Sequence, residues 1–183
     1  MIKEINIKKF NMVCLLILAS LFVNIACEDD ITGAIENGRN LEIYADFPEI
    51  VTQAVFEFEG DTRLISPSAS NRQIVVVKTK ITNRTTTVIP LVVDTETVML
   101  GDRRGKKYPP INPYESSEIV ESSTIKEGKK NVSPILWEAF DLVRGYEVEG
   151  FLVFDVPKGL LLGTLFWDEV EYIPVDFVNY AEN

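Results

Sequence analysis

The sequence predicts an all-β domain, an antiparallel sandwich, standing behind an export segment and a short acidic linker. Three observations lead there. Seven runs of the 183-residue chain are rich in β-branched and aromatic residues, several of them alternate apolar with polar positions, and clusters of Gly, Pro, Asn and Ser separate them.

The chain opens on MIKEINIKK, in which Lys3, Lys8 and Lys9 face a single Glu4, and the apolar stretch Met12 to Val23 follows. A basic start and an apolar block are the parts of a signal peptide. The block is about a dozen residues, roughly 18 Å as a helix, whereas a permanent span needs about 20 apolar residues. Ala26 then precedes Cys27, and a small residue before a cysteine is what lipoprotein processing requires. Val23-Asn24-Ile25-Ala26-Cys27 resembles the box that ends lipoprotein signal peptides: an aliphatic residue, a small one, Gly or Ala, then the cysteine that receives diacylglycerol. Ala26 fits that box, Ile25 is tolerated, and Asn24 stands where an aliphatic residue is usual. Residues 1–26 are therefore expected to be a lipoprotein signal peptide, with lipid attached at Cys27. Ordinary secretory cleavage nearby and an uncleaved signal anchor are the alternatives.

Cysteine usage favours lipidation. Cys14 lies inside the apolar stretch and leaves with it, so Cys27 has no partner for a disulfide. A lone cysteine in an exported protein is a reactive thiol or a site of modification. Removing 1–26 leaves about 157 residues, enough for one domain with a real core. It also takes the formal charge from −10 to −12, because Lys3, Lys8, Lys9 and Glu4 depart. Such acidity disfavours nucleic acid and anionic lipid heads as partners, and chiefly keeps an exported domain soluble.

Residues 27–40 (CEDDITGAIENGRN) are acidic, carry Gly33 and Gly38, and show no sustained apolar period, so they read as a flexible tether. Acidic residues directly after the cysteine also resemble the signal by which some Bacteroidota-like bacteria place lipoproteins on the cell surface. An ordinary polar linker explains them equally well.

The domain proper is expected over residues 41–180. Its strands are Leu41 to Phe47, Ala54 to Phe58, Gln73 to Thr82, Thr87 to Val93, Glu147 to Val156, Leu160 to Phe166 and Val170 to Phe177. Val75, Val77, Thr79 and Ile81 face one side of the third run while Val76, Lys78, Lys80 and Thr82 face the other, the mark of a half-buried strand. Glu147 to Val156 is apolar on nearly both sides and so belongs at the centre of a sheet, ended by Pro157. Turns are expected at Glu59-Gly60-Asp61, Ser66-Pro67-Ser68, Thr82-Asn83-Arg84, Gly101 to Gly105 and Pro157-Lys158-Gly159, with Asn83 supplying a left-handed backbone. Pro109 to Ser133 is polar and serine-rich and reads as a long, mobile excursion. Pro134 to Val143 is open between a short helix, started by Pro134 and carrying Ile135, Leu136, Ala139, Leu142 and Val143 at helical spacing, and a strand leading into the next hairpin.

Val75 to Asn83, then Val98-Met99-Leu100 running to Gly105-Lys106-Lys107-Tyr108, then Gly150-Phe151-Leu152-Val153-Phe154-Asp155-Val156-Pro157 follow one another in an order with a known parallel. The order resembles exported and lipid-anchored bacterial and archaeal domains of unknown function with an immunoglobulin-like sandwich. The resemblance covers about Gln73 to Phe177, and none of its motifs is catalytic. It implies an immunoglobulin-like β-sandwich and an extracytoplasmic module, usually without a known ligand.

The chain has no histidine. Ser-His-Asp and Cys-His mechanisms are thereby excluded, as are histidine-bound zinc and the usual copper sites. No GxGxxG or GxxxxGK[ST] is present to cradle phosphate. What remains is carboxylate chemistry at Asp94 and Glu96, at Glu115, Glu118 and Glu121, at Asp141, and at Asp168, Glu169 and Glu171, all of which read first as solvated surface. Trp137 and Trp167 would stack on sugars if exposed, but large aromatics in such a domain are more often core. No catalytic residue, metal site or cofactor is expected. The expectation is a membrane-tethered extracytoplasmic lipoprotein of the cell envelope or cell surface with a non-catalytic binding or interaction domain. Its partners would be the membrane, through a lipid on Cys27, and an envelope protein or polysaccharide. A structural envelope protein is the alternative, and a carboxylate-based hydrolase a distant third.

Overall fold

The computed structural model describes residues 32–121 and 129–178; the expected signal peptide and Cys27 lie outside them. Among the described residues there are fifteen strands and no helix. In chain order they are β1 (Gly33–Asn37), β2 (Leu41–Asp46), β3 (Glu49–Val51), β4 (Gln53–Phe58), β5 (Asp61–Ile65), β6 (Arg72–Asn83), β7 (Ile89–Val93) and β8 (Val98–Asp102). There follow β9 (Lys107–Tyr108), β10 (Glu118–Ile119), β11 (Lys129–Asn131), β12 (Glu138–Leu142), β13 (Glu147–Pro157), β14 (Leu162–Glu169) and β15 (Glu171–Asp176).

The frame is the antiparallel pair β6–β13, matched without a slip from Arg72 opposite Pro157 to Thr82 opposite Glu147. On the other edge of β6, β2 pairs with the second half and β3 with the first, and β1 closes the sheet beyond β2. Period two divides the side chains of this central sheet. Val75, Val77, Ile81, Leu152, Phe154 and Val156 enter a large core shared with β7, β8, β12, β14 and β15. Ile74, Val76 and Val153, on the opposite face, enter a smaller core with Ala54 and Phe56 of β4 and Ile65 of β5. Burial on both faces is why β6 and β13 lack a clean apolar–polar alternation in their first and last halves respectively. Past Val77 the second face meets solvent, and there Lys78 and Lys80 pair with Glu149 and Glu147 across the ladder.

The covering layers are small sheets: β10-β5-β4-β11 on one face, and β15-β14-β8-β9 with the hairpin-like pair β12-β7 on the other. All pairings are antiparallel except β11 on β4.

Three expectations change. The flexible tether was expected to reach residue 40, but Gly33–Asn37 is already strand β1, paired with β2. An edge strand needs no apolar period: only Gly33 and Ala34 are buried, and Ile35, Glu36 and Asn37 face solvent. In 134–143 the helical alternative fails. Ile135 bridges to Phe151, Leu136 is buried, and at Glu138 a backbone φ of 75° turns the chain out to pair with β7. The apolar spacing that suggested a helix comes from a chain changing sheets. Finally, the described parts of Pro109 to Ser133 are tied down rather than loose: the Ile111 N–H donates to the Val153 carbonyl, β10 pairs with β5, β11 with β4, and Val132 is buried.

Candidate functional site

The carboxylates singled out by sequence do not assemble. Asp94 is taken up by its own turn, its Oδ1 accepting the N–H groups of Glu96 and Thr97 at 2.8 and 3.0 Å. Glu115, Glu118, Glu121, Asp141 and Asp168 are exposed on separate elements. Among the described residues no three His, Cys, Asp or Glu side chains are placed to hold a metal ion. Trp167 is fully buried, its indole N–H donating to the Glu169 carbonyl at 2.9 Å, so it offers no stacking face.

Two polar residues do structural work that sequence reading missed or misassigned. Glu171, at the start of β15, accepts the backbone N–H groups of Arg39, Asn40 and Leu41 at 2.7, 2.6 and 2.7 Å, closing the β1–β2 turn from the opposite layer. Burial opposes its charge, but the three donors, first Asn40 and Leu41, outweigh burial and hold the carboxyl below its ordinary value. Gly38 makes room for it, since a Cβ there would lie 2.5 Å from the carboxylate. Asn83 is 1% exposed and does not adopt the left-handed backbone expected of it. Its side chain acts instead. The amide donates to the carbonyls of Thr87 and Leu142 and accepts from the Thr85 N–H, each within 2.8 Å.

The opposite end, beside Arg72 and Pro157, differs in character. The β8–β9 turn reads Asp102-Arg103-Arg104-Gly105-Lys106-Lys107, reversing at Gly105 with φ of 84°. Asp102 is committed to that turn: its Oδ1 accepts the N–H groups of Arg104 and Lys106, both at 2.9 Å, and its Oδ2 the Tyr108 hydroxyl at 3.3 Å. The Lys106 N–H above all holds its carboxyl below the ordinary value. Arg103, Arg104, Lys106 and Lys107 are exposed, and none joins the salt bridges of the described residues. Against this turn lies the β13–β14 turn, and between them a shallow pocket of about 80 Å³ is lined by Asp102, Arg103, Arg104, Gly159, Leu160 and Leu161. It adjoins a wider one of about 190 Å³ lined by Pro48, Ile50, Arg103 and Leu160 to Leu162. Leu161 and Ile50 are 68% and 57% exposed at its rim.

No family model and no curated protein matches the chain. A crystal structure of a conserved hypothetical protein from Bacillus anthracis is similar at a TM-score of 0.43 and 11% identity, over 78% of this chain and 92% of that one.

The surface at this end combines exposed aliphatic side chains with the guanidinium groups of Arg103 and Arg104, which join no salt bridge among the described residues, while the ammonium groups of Lys106 and Lys107 lie over the rings of Tyr108 and Phe166 at 5.3 and 3.8 Å. That arrangement suits contact with an amphipathic, anionic surface; it holds no nucleophile or acid–base pair.

Proposed function

We propose that this chain is an extracytoplasmic lipoprotein, anchored through lipid on Cys27, whose domain is a non-catalytic binding or interaction module. The observation that carries the reading is the order of parts: a basic start, an apolar block too short to stay in a membrane, Ala26-Cys27, and an all-β domain whose first strand begins at Gly33, six residues later. So short a link suits a domain meant to stay at its anchor. The finer fold reading, an immunoglobulin-like sandwich, is supported by the large core that β6 and β13 share with β8, β14 and β15, two antiparallel sheets packed face to face.

Growth with an alkyne fatty acid tests the anchor. Label is expected on the wild-type protein, with Cys27 as the new N-terminal residue in its mass spectrum, and neither is expected in Cys27→Ser. Label that persists in Cys27→Ser, or a mature terminus elsewhere without lipid, would overturn the reading.

A further inference from the structure

Resting on the anchor proposed at Cys27, we infer that the end of the domain formed by Ile50, the β8–β9 turn and the β13–β14 turn docks on an anionic phospholipid surface.

The first ground is where the chain enters the domain. β2 runs from Leu41, opposite Asn83, to Ala45, opposite Thr79, and so heads for the Arg72 end of β6. β1 is antiparallel to it and starts with Gly33 opposite Asp46, which puts Thr32 on that same side. The Thr32 carbonyl accepts the Phe47 N–H at 2.8 Å; the Phe47 ring meets Phe177 edge-on at 6.2 Å; and the Phe177 N–H donates to Gly163, next to Leu162. Pro48, the residue after Phe47, lines the wider pocket itself. Thr32 is five residues from Cys27, a reach of at most about 18 Å. An anchor at Cys27 thus confines this end of the domain to the neighbourhood of the headgroups.

The second ground is charge. A chain at −12 after processing is repelled as a whole by an anionic leaflet. Arg103, Arg104 and Lys106 gather three of its basic side chains in four positions, Lys107 beside them lies with its ammonium 3.8 Å over the Phe166 ring, and Asp102, the one acid among them, is bonded into its turn. Headgroups within a Debye length, about 10 Å at ordinary ionic strength, feel the nearest charges most, and Glu49, beside Ile50, is paired with Lys130. Leu161 and Ile50, flanking the guanidinium groups, supply apolar side chains of the kind that enter the acyl boundary. Glu28, Asp29 and Asp30 carry the opposite sign in the sequence, and pairing of the turn with them is an outcome the test separates.

The test uses the processed, lipid-bearing protein in vesicles of phosphatidylcholine alone or mixed with phosphatidylglycerol, with hydrogen exchange read by mass. Peptides covering 102–107 and 157–162 are expected to exchange about 25-fold more slowly in the anionic vesicles, at about fivefold for each of Arg103 and Arg104. The protection should vanish in Arg103→Glu/Arg104→Glu and weaken in Leu161→Ser, while β6 peptides exchange as in the wild type and certify the fold. Equal exchange in both vesicles overturns docking. Protection of equal size in neutral vesicles assigns the turn to Glu28-Asp29-Asp30 and overturns it too, as does protection found only in whole envelopes, which would mark a protein partner. The same spectra separate the two readings: a modified Cys27 without protection removes docking alone, whereas an unmodified Cys27 removes the anchor and docking with it.

Discussion

At the Asn83 end of β6 polar side chains are drawn into the protein and bonded to backbone groups; at the Arg72 end the basic side chains of Arg103, Arg104 and Lys106 stand in solvent beside exposed Leu161 and Ile50. Both ends are made of turns between antiparallel strands, and what sets them apart is the side-chain chemistry of those turns. Bonding inward fixes a turn. Leaving groups outward contributes little to stability and keeps a surface available. Mutations at the first end should therefore be read in unfolding, and at the second in binding.

The largest effect is expected where the first end meets the core. Trp167 is fully buried in β14 and its indole N–H also closes the β14–β15 turn through Glu169. Trp167→Ala removes a large buried ring and leaves a cavity, a loss of about 3–5 kcal/mol in denaturant unfolding. Asn83→Ala comes next. It leaves the carbonyls of Thr87 and Leu142 and the Thr85 N–H without their partner, for a loss of about 2–3 kcal/mol. Asn83→Asp keeps the shape but sets a carboxylate against two carbonyls, and should not rescue it. If both Asn83 variants unfolded like the wild type, the inward-bonded end would not be the stabilising one.

Glu171→Gln is smaller, about 1–2 kcal/mol, because an amide oxygen still accepts but without charge. Its sharper signature is pH. The folded carboxyl lies below its ordinary value, so its contribution is fully present above the unfolded pKa, near 4.3 for Glu, and is lost as pH falls through the folded one. Thermal unfolding of the wild type should therefore fall more steeply on acidification than that of Glu171→Gln. Parallel curves would mean that Arg39, Asn40 and Leu41 gain nothing from the charge.

How much of this was legible depends on how local its cause is. β6 and β13 appear within a residue or two of the expected Gln73 to Thr82 and Glu147 to Val156, because eleven-residue pairing leaves a long apolar signature in each strand. β1 was missed and β12 was one of two alternatives for Pro134 to Val143, since GAIEN and EAFDL lie at edges where one neighbour suffices and burial imposes little pattern. Glu171 looked like one more surface acid in Trp167-Asp168-Glu169-Val170-Glu171; its partners are 130 or more residues away and backbone groups leave no trace in sequence. Residues 101–105 were read from sequence only as a turn; that its basic side chains keep company with Ile50 and Leu161 required the fold.

The smallest expected change in stability is the one that separates the two ends most clearly. Leu161 is 68% exposed and the Arg103 and Arg104 side chains are in solvent, so Leu161→Ser and Arg103→Glu/Arg104→Glu should shift the unfolding midpoint by no more than about 0.5 kcal/mol. Natural selection for stability would leave such groups indifferent, and a protein of net charge −10 gains nothing in solubility from an exposed leucine. Near-neutral unfolding together with lost protection on anionic vesicles is the pattern of a surface kept for contact. A loss approaching that of Asn83→Ala would instead make the turn pair part of the domain's support, and the contrast between the ends would be one of degree.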